Sequence, residues 1–490
     1  MKRIIVFFLA TLCLSIIKAE DVKQGLKQSE TLRYANLVND YFMRTYPDVG
    51  AKSYVGGKER DSKIWTRGVY YEGLMAMYRQ YPQENCLKYA EDWGKFHNWV
   101  SSGSGSAARH ADFQCCGQAY LDMYMLKPDQ TIRITHIKGR IEDMLATSTV
   151  DDWYWIDAIQ MAMPIFAQLG SIEKDERYFK RMYEMYMHTR NKHGGSKKSG
   201  GAPLFNEEDG LWYRDYQYDP PYVDKTETDK PCYWSRGNGW VYAALARILY
   251  YSPETVYQRQ QYLDDFILMS EALLKCQRED GFWGVSLAAL SNTGHTDSPG
   301  PETSGTSLFV MGMAYGINEG ILDREIYLPA VIKAWNALCS ETVHESGFLG
   351  FVQGAGACPE DGQPVLFSKA ADFEDFGIGC FLLAASEVYR LGDVDPGLSI
   401  VQNDLVQTSF NCYPLGDRIS LRFDLEKRDY VSLEIYDLKG NLVRKVHQGE
   451  LAADKYIFDV STSELSGSGL YICVLRTSES KVSRKVVTVN

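Results

Sequence analysis

The most restrictive feature of this sequence is a procession of amphipathic helical segments from about Ser29 to Leu391. Twelve candidates begin near Thr31, Gly68, Asn85, Asp112, Ile132, Trp155, Asp175, Gly237, Tyr262, Gly305, Tyr327 and Phe376. Most extend over about 13 to 17 residues with apolar positions three and four apart, the spacing that lines one face of an α-helix. Tyr70, Leu74 and Met77 show it, as do Phe381, Leu382, Ala385 and Val388. Strand-like alternation is scarce over this stretch. Twelve helices of similar length suit a toroid of six helical hairpins, an inner ring wrapped by an outer one. An open solenoid is the alternative, but no short repeat recurs as solenoids require.

The connections are unequal. The longest, roughly residues 191 to 236, is rich in Gly, Lys, Asp and Pro, and a loop of that length in a compact domain is usually functional. Short Gly/Ser/Asn-rich crossings lie around Ser101 to Ala108 and Ser291 to Glu302. After Gly392 the pattern changes to period two. Ile419, Leu421 and Phe423 alternate with polar residues, then Val431, Leu433 and Ile435, then Tyr456, Phe458 and Val460, and Leu470, Ile472 and Val474. Short alternating strands with Gly/Asn/Asp turns predict a small β-sandwich of about eighty residues. The expected organisation is a helical domain over 20–392, a linker over 393–410 and the sandwich over 411–490.

Residues 1–19 read as a signal peptide: Lys2-Arg3 precede the apolar run Ile4 to Ile17, and Ala19 is the expected cleavage point. The chain is therefore expected to be exported, and no later segment reaches membrane-spanning length. The formal net charge of -12 argues against a nucleic-acid or anionic-membrane partner. An anionic small substrate needs only a local Arg or Lys. The ten cysteines beyond Cys13 lack metal-ligand spacing, and most are read as buried small hydrophobes.

Four stretches carry candidate chemistry. In Asp151 to Pro164 an acidic residue, Asp157, shares helical spacing with Trp153 and Met161, a setting that disfavours ionisation. A capped or salt-bridged Asp beside a core face is the alternative. Asp112 falls at an expected helix N-terminus, where capping alone would explain it. In Cys232 to Trp240, Trp234 and Trp240 flank Arg236, which suits a guanidinium held beside a sugar carboxylate, or a structural Arg stacked on Trp. Pro301 to Thr306 reads as capping by Thr303 or Ser304, with pocket lining as a second role. There is no His-Glu-x-x-His, no phosphate loop, no nucleotide fingerprint and no Gly-x-Ser-x-Gly elbow. Carboxylates in an aromatic pocket remain, as general acid and base, with no metal and no cofactor expected.

In this order the motifs resemble glycoside hydrolase family 105, the unsaturated rhamnogalacturonyl hydrolases and their relatives. The pieces are Trp65-Thr66-Arg67-Gly68-Val69, the Asp112 segment, Trp155-Ile156-Asp157 to Met163-Pro164, Trp234-Ser235-Arg236-Gly237-Asn238-Gly239-Trp240, Glu302-Thr303-Ser304-Gly305-Thr306, and Gly377 to Ala384. The resemblance covers about Thr31 to Leu391. It implies an (α/α)6 barrel and removal of a 4,5-unsaturated uronic acid from the non-reducing end of a lyase-generated acidic oligosaccharide. It further implies that Asp157 is the acid/base and Asp112 the second active-site carboxylate. Arg236 is then the candidate for the substrate carboxylate, with Trp234, Trp240 and Trp153 around the site and Thr303 lining it. One departure stands out: many members carry a His after an aromatic in the long loop, where this chain has Tyr213-Arg214. Arg214 cannot alternate between donor and acceptor as His does, and an extra cation suits glucuronyl-ended or sulfated chains.

The C-terminal stretch resembles a type IX secretion sorting domain, through Val431 to Gly440, Gly469-Leu470-Tyr471-Ile472 and Arg484-Lys485-Val486-Val487. That resemblance implies the type IX machinery as a partner; a small carbohydrate-binding module is the competing reading. For the whole chain, the alternatives are an inverting glycosidase using Asp112 and Asp157 on an intact polysaccharide, or a non-catalytic sugar-binding protein.

Overall fold

The computed structural model describes residues 25–195, 200–224, 230–288, 301–370, 373–394, 410–415, 418–425, 427–437, 441–465, 469–478 and 481–488. The expected signal peptide, most of the expected linker and most of the Ser291 to Glu302 crossing lie outside these residues.

The helices follow in chain order as α1 (Gln28–Thr45), α2 (Trp65–Gln80), α3 (Glu84–Phe96), α4 (Ala111–Gln114), α5 (Cys116–Leu126), α6 (Ile132–Leu145) and α7 (Asp157–Glu173). Then come α8 (Glu176–Lys192), α9 (Ser235–Tyr251), α10 (Arg259–Cys276), α11 (Thr303–Asn318), α12 (Arg324–Ala337) and α13 (Asp375–Leu391). Six of them, α2, α5, α7, α9, α11 and α13, pack each against the next, and α13 closes on α2. The outer helices α1, α3, α6, α8, α10 and α12 each lie on one inner helix. This is the (α/α)6 toroid, with one extra turn, α4, before α5. Ring closure needs two helix backbones in near contact: a Cβ on Gly73 of α2 would lie 2.3 Å from the carbonyl oxygen of Gly379 in α13.

Burial follows position in the ring. Nearly every residue of α9, α11 and α13 is buried, whereas α3 and α8 bury one stripe and expose the other. The inner helices run in the same direction. At one end Thr66 at the start of α2 donates to Asp375 at the start of α13 (2.9 Å), and Arg236 near the start of α9 donates to Ser304 near the start of α11 (3.3 Å). At the other end Tyr251 of α9 and Arg79 of α2 meet Asp122 of α5. The inner helix N-termini therefore converge on one mouth, where their partial positive charge favours anions.

Among the described residues, two small hairpins interrupt the helices: β1 (Ser53–Val55) with β2 (Lys58–Arg60), and β3 (Phe205–Asn206) with β4 (Leu211–Trp212). The second is carried by the longest loop. Beyond it in the chain, β5 (Phe410–Leu415), β6 (Arg418–Leu425) and β9 (Asp454–Ser461) form one antiparallel sheet in the order β5-β6-β9. The strands β7 (Asp429–Tyr436), β8 (Leu442–Leu451), β10 (Gly469–Arg476) and β11 (Lys481–Thr488) form the other, in the order β11-β10-β7-β8. Phe410, Ile419, Leu421 and Phe423 from the first meet Val431, Leu433, Ile435 and Leu475 from the second in one apolar core. The expected sandwich is thus present.

Candidate active site

Helix α7 begins at Asp157 itself, with Ile156 as the preceding cap residue. The approach is anchored by the long loop, because the Ile156 amide donates to the Arg214 carbonyl (3.0 Å). The loop is in turn held by α9: Asn238 accepts from the Trp212 amide (2.8 Å) and donates to the Trp212 carbonyl (3.0 Å). One amide side chain thus satisfies both backbone groups of a β4 residue and fixes the position of the chain just beyond the strand. Two residues past Trp212 stands Arg214, whose Nε donates to Asp157 Oδ2 (3.1 Å) while its Nη1 donates to Asp215. The residue that departs from the family pattern lies directly on the candidate acid.

Asp157 is 5% exposed. Burial pushes its carboxyl above the ordinary range, and the opposing pull of Arg214, its own helix-terminal amide and Arg236 does not cancel that. Asp112, in α4, is also raised: burial is the main cause, the Asp157 charge adds to it, and His110, Arg214 and Arg60 oppose. The capping explanation for Asp112 does not apply. His110 is the cap residue of α4, its Nδ1 accepting the Asp112 amide (3.3 Å), which leaves the Asp112 carboxylate free to face the same ring at 3.8 Å. His110 packs at a tilt against Trp155 (4.7 Å between centroids), and Tyr154 adds a half-buried ring beside it.

Behind these carboxylates lies a buried support. Pro164 in α7 has no amide hydrogen, so the Gln160 carbonyl lacks its helical partner and accepts instead from Gln118 Nε2 (2.7 Å). Gln160 Nε2 donates to Glu72 (2.7 Å), and the Cys115 thiol donates to the same carboxyl (3.2 Å). Glu72 is fully buried, and burial pushes its carboxyl up to about 7 against the pull of Arg247. One acid thereby joins the segments carrying Asp157 and Asp112.

Several expected contributors are placed elsewhere. Because α7 starts at Asp157, Trp153 precedes the helix and does not share a face with it; its ring packs on Phe166 (5.6 Å), and its carbonyl accepts from Thr189 (2.6 Å). Arg236 is fully buried, its guanidinium over Trp234 (4.7 Å) and donating to the carbonyls of Gln353 (2.8 Å) and Gly354 (2.6 Å). This is the structural alternative left open for it. Trp234 is likewise buried, donating to Gln353 Oε1 (2.9 Å). Trp240 is buried against the half-buried Trp65, edge to face. Thr303 does not cap α11: Glu302 does, accepting from the amides of Ser304 (2.9 Å) and Gly305 (2.6 Å), while Thr303 donates to the Gly350 carbonyl (2.7 Å). His110, Asp215 and Glu72 were not singled out from sequence. Glu72 had a usable signal, a carboxylate inside the apolar run Val69 to Met75.

A mouth lined by two raised carboxyls, an arginine and aromatic rings is suited to proton transfer onto an acidic sugar. Residues 34–392 match the model of Glycosyl Hydrolase Family 88. The chain belongs to that family. Residues 413–489 match the secretion system C-terminal sorting domain, so the sandwich is a sorting domain rather than a sugar-binding module. Among curated relatives, an unsaturated 3S-rhamnoglycuronyl hydrolase of Formosa agariphila is 30% identical over 67% of this chain and 84% of its own length. Among solved structures, a family 88 glycosyl hydrolase from Bacteroides vulgatus is 31% identical with a TM-score of 0.64, over 74% of this chain and 99% of its own. A protein described as a polysaccharide lyase is 29% identical with a TM-score of 0.63, over 77% and 99%. As a family 88 member the protein is a glycoside hydrolase, and the described residues include no helix long and apolar enough to cross a membrane.

Proposed function

We propose that the protein removes a 4,5-unsaturated uronic acid from the non-reducing end of lyase-generated acidic oligosaccharides, as a family 105-type unsaturated uronyl hydrolase. The observation that carries this is the Asp157 carboxyl, buried at a helix start and biased toward its protonated form while still touching a half-open arginine. Vinyl-ether hydration requires an acid that still holds its proton when the substrate arrives. Asp157 protonates C4, positive charge spreads over C5 and the ring oxygen, and water adds at C5. The Asp157 carboxylate, with Asp112 beside it, takes a proton from that water. The resulting hemiketal opens and releases the neighbouring sugar.

Arg214 replaces Arg236 as the group proposed to meet the substrate carboxylate. Its side chain is 20% exposed, whereas that of Arg236 is closed off by backbone carbonyls. The relative named as a 3S-rhamnoglycuronyl hydrolase makes rhamnoglycuronyl-type oligosaccharides the first to try, ahead of rhamnogalacturonyl ones. The sorting domain supports export through the type IX machinery to the cell surface or beyond. A second reading, β-elimination with His110 as base, is favoured by the neighbour described as a polysaccharide lyase.

One assay separates the readings. Lyase-digested and undigested polysaccharide are incubated with enzyme while ultraviolet absorbance and released sugars are followed. Loss of absorbance with digested chains alone supports hydration. Absorbance gained from undigested chains would assign elimination, new reducing ends without absorbance change an inverting glycosidase, and binding without turnover a lectin-like role.

A further inference from the structure

We propose that Cys412 and Cys473 form a disulfide that ties the two sheets of the sorting domain together when the exported chain folds. Cys412 is on β5, where it pairs with Leu421 of the three-stranded sheet. Cys473 is on β10 of the four-stranded sheet, between Ile435 of β7 and Arg484 of β11. The two strands therefore belong to opposite layers, and no backbone ladder joins them. Both side chains nevertheless enter the same core: Cys473 is fully buried in it and Cys412 packs against it, and Cys473 is the neighbouring group that acts on the Cys412 thiol. Two of the other thiols are engaged elsewhere: Cys115 donates to Glu72, and Cys86 accepts from Asn39.

A chain carrying a secretion sorting domain leaves the reducing cytoplasm, so two thiols in this arrangement meet an oxidising compartment. Burial holds the Cys412 thiol well above its ordinary range, with the neighbouring Cys473 as the second cause. The thiolate needed for exchange is therefore scarce once the sandwich has closed, and the bond forms while the sheets are assembling. The oxidant is a disulfide donor, protein or small molecule. One cysteine thiolate attacks the donor disulfide and expels a donor thiolate. The second cysteine thiolate attacks the mixed disulfide and expels the other. The protein pair loses two electrons and two protons, and the donor becomes two thiols. Cys412 lies one residue before the stretch matching the sorting domain, so the tie fastens the chain arriving from the helical toroid to the opposite sheet.

The test uses the full-length protein exported to a bacterial periplasm, unfolded in guanidinium with iodoacetamide and no reductant, then digested for peptide mass analysis. The expected result is a cross-linked peptide pair carrying Cys412 and Cys473, lacking two hydrogens, with label on the eight cysteines from Cys86 to Cys380. Reductant before labelling should convert the pair to two labelled peptides. Cys473→Ser should leave Cys412 labelled without reductant. Label on both Cys412 and Cys473 in unreduced wild-type protein, or either one cross-linked to a different cysteine, overturns the proposal.

Discussion

Replacing Glu72 by Gln should stabilise the protein near neutral pH and do nothing for it in acid. Glu72 is fully buried, and its carboxyl is pushed from an ordinary 4.5 up to about 7. A raised carboxyl means that the folded state holds the proton more tightly than the unfolded chain does. That stabilisation is complete below 4.5 and is lost as pH climbs from 4.5 through 7. The gap corresponds to about 3 kcal/mol, as one pKa step is about 1.4 kcal/mol. Gln has nearly the same shape, can still accept from Gln160, and never ionises. Helices α1 to α13 span residues 28–391. At about 2.1 cal/mol/K per residue their unfolding entropy is about 0.8 kcal/mol/K, so about 3 kcal/mol moves the melting temperature by about 4 °C. Calorimetric melts of both proteins from pH 4 to 8 should show melting temperatures that coincide near pH 4, diverge between 4.5 and 7 and stay a constant distance apart above neutrality, the variant higher. A difference independent of pH, or a variant melting lower at pH 8, would refute the reasoning.

Asp157→Asn should lower turnover by at least about 100-fold, the low end for a positioned acid/base, while calorimetric binding persists and the melting temperature at neutral pH does not fall. Arg236→Lys should act on stability rather than affinity: losing the fork onto Gln353 and Gly354 should cost about 1 to 3 kcal/mol in denaturant unfolding with KM nearly unchanged. Arg214→Ala should raise KM. It should also move the alkaline limb of the pH–rate profile upward, because the removed cation favours the Asp157 anion and its loss lets the acid form survive to higher pH.

The toroid was legible because twelve amphipathic segments leave few ways to bury their stripes, and each predicted helix start lies within a few residues of an observed one. The sandwich was less so. Strand β8 leaves little alternation in the sequence because it is the edge of its sheet and carries Arg444, Lys445, His447 and Glu450, charges that blunt the pattern where the face meets water. Strand β5 contains Pro414, which an edge strand tolerates and a strand pattern does not advertise. In the site, Asp157 was readable as a carboxylate in an apolar run. Its surroundings were not. Carrying the helical spacing back to Trp153, four residues before the observed start of α7 at Asp157, wrongly put that ring on its face. Nothing local in the Trp234 to Trp240 motif reveals that Arg236 donates to the carbonyls of Gln353 and Gly354, more than a hundred positions away. Arg214 reaches Asp157 only because Asn238 and Ile156 hold its loop, and such contacts between distant segments leave no periodic trace.

Those contacts have a consequence for binding. Arg214 bonds two carboxylates, Asp157 and Asp215, and Asp112 feels the charges of both Arg214 and Asp157. A uronate entering this mouth adds one more anion to a group already rich in them. Like charges at short range cannot all remain ionised, so the incoming carboxylate should draw a proton onto Asp157 or Asp112. Substrate would then hold the proton on its acid catalyst to higher pH, and affinity should weaken as pH rises through the range where that proton is no longer available. Calorimetric titration of Asp112→Asn and wild-type protein with a slowly turned-over uronate ligand, in buffers of different ionisation enthalpy, measures the uptake directly. Wild type should take up a fraction of a proton per ligand bound near neutral pH, and Asp112→Asn less if Asp112 is the receiving group. Binding enthalpies that do not depend on the buffer would mean that the site accepts the anion without protonation, leaving Arg214 and the helix N-termini to balance it alone.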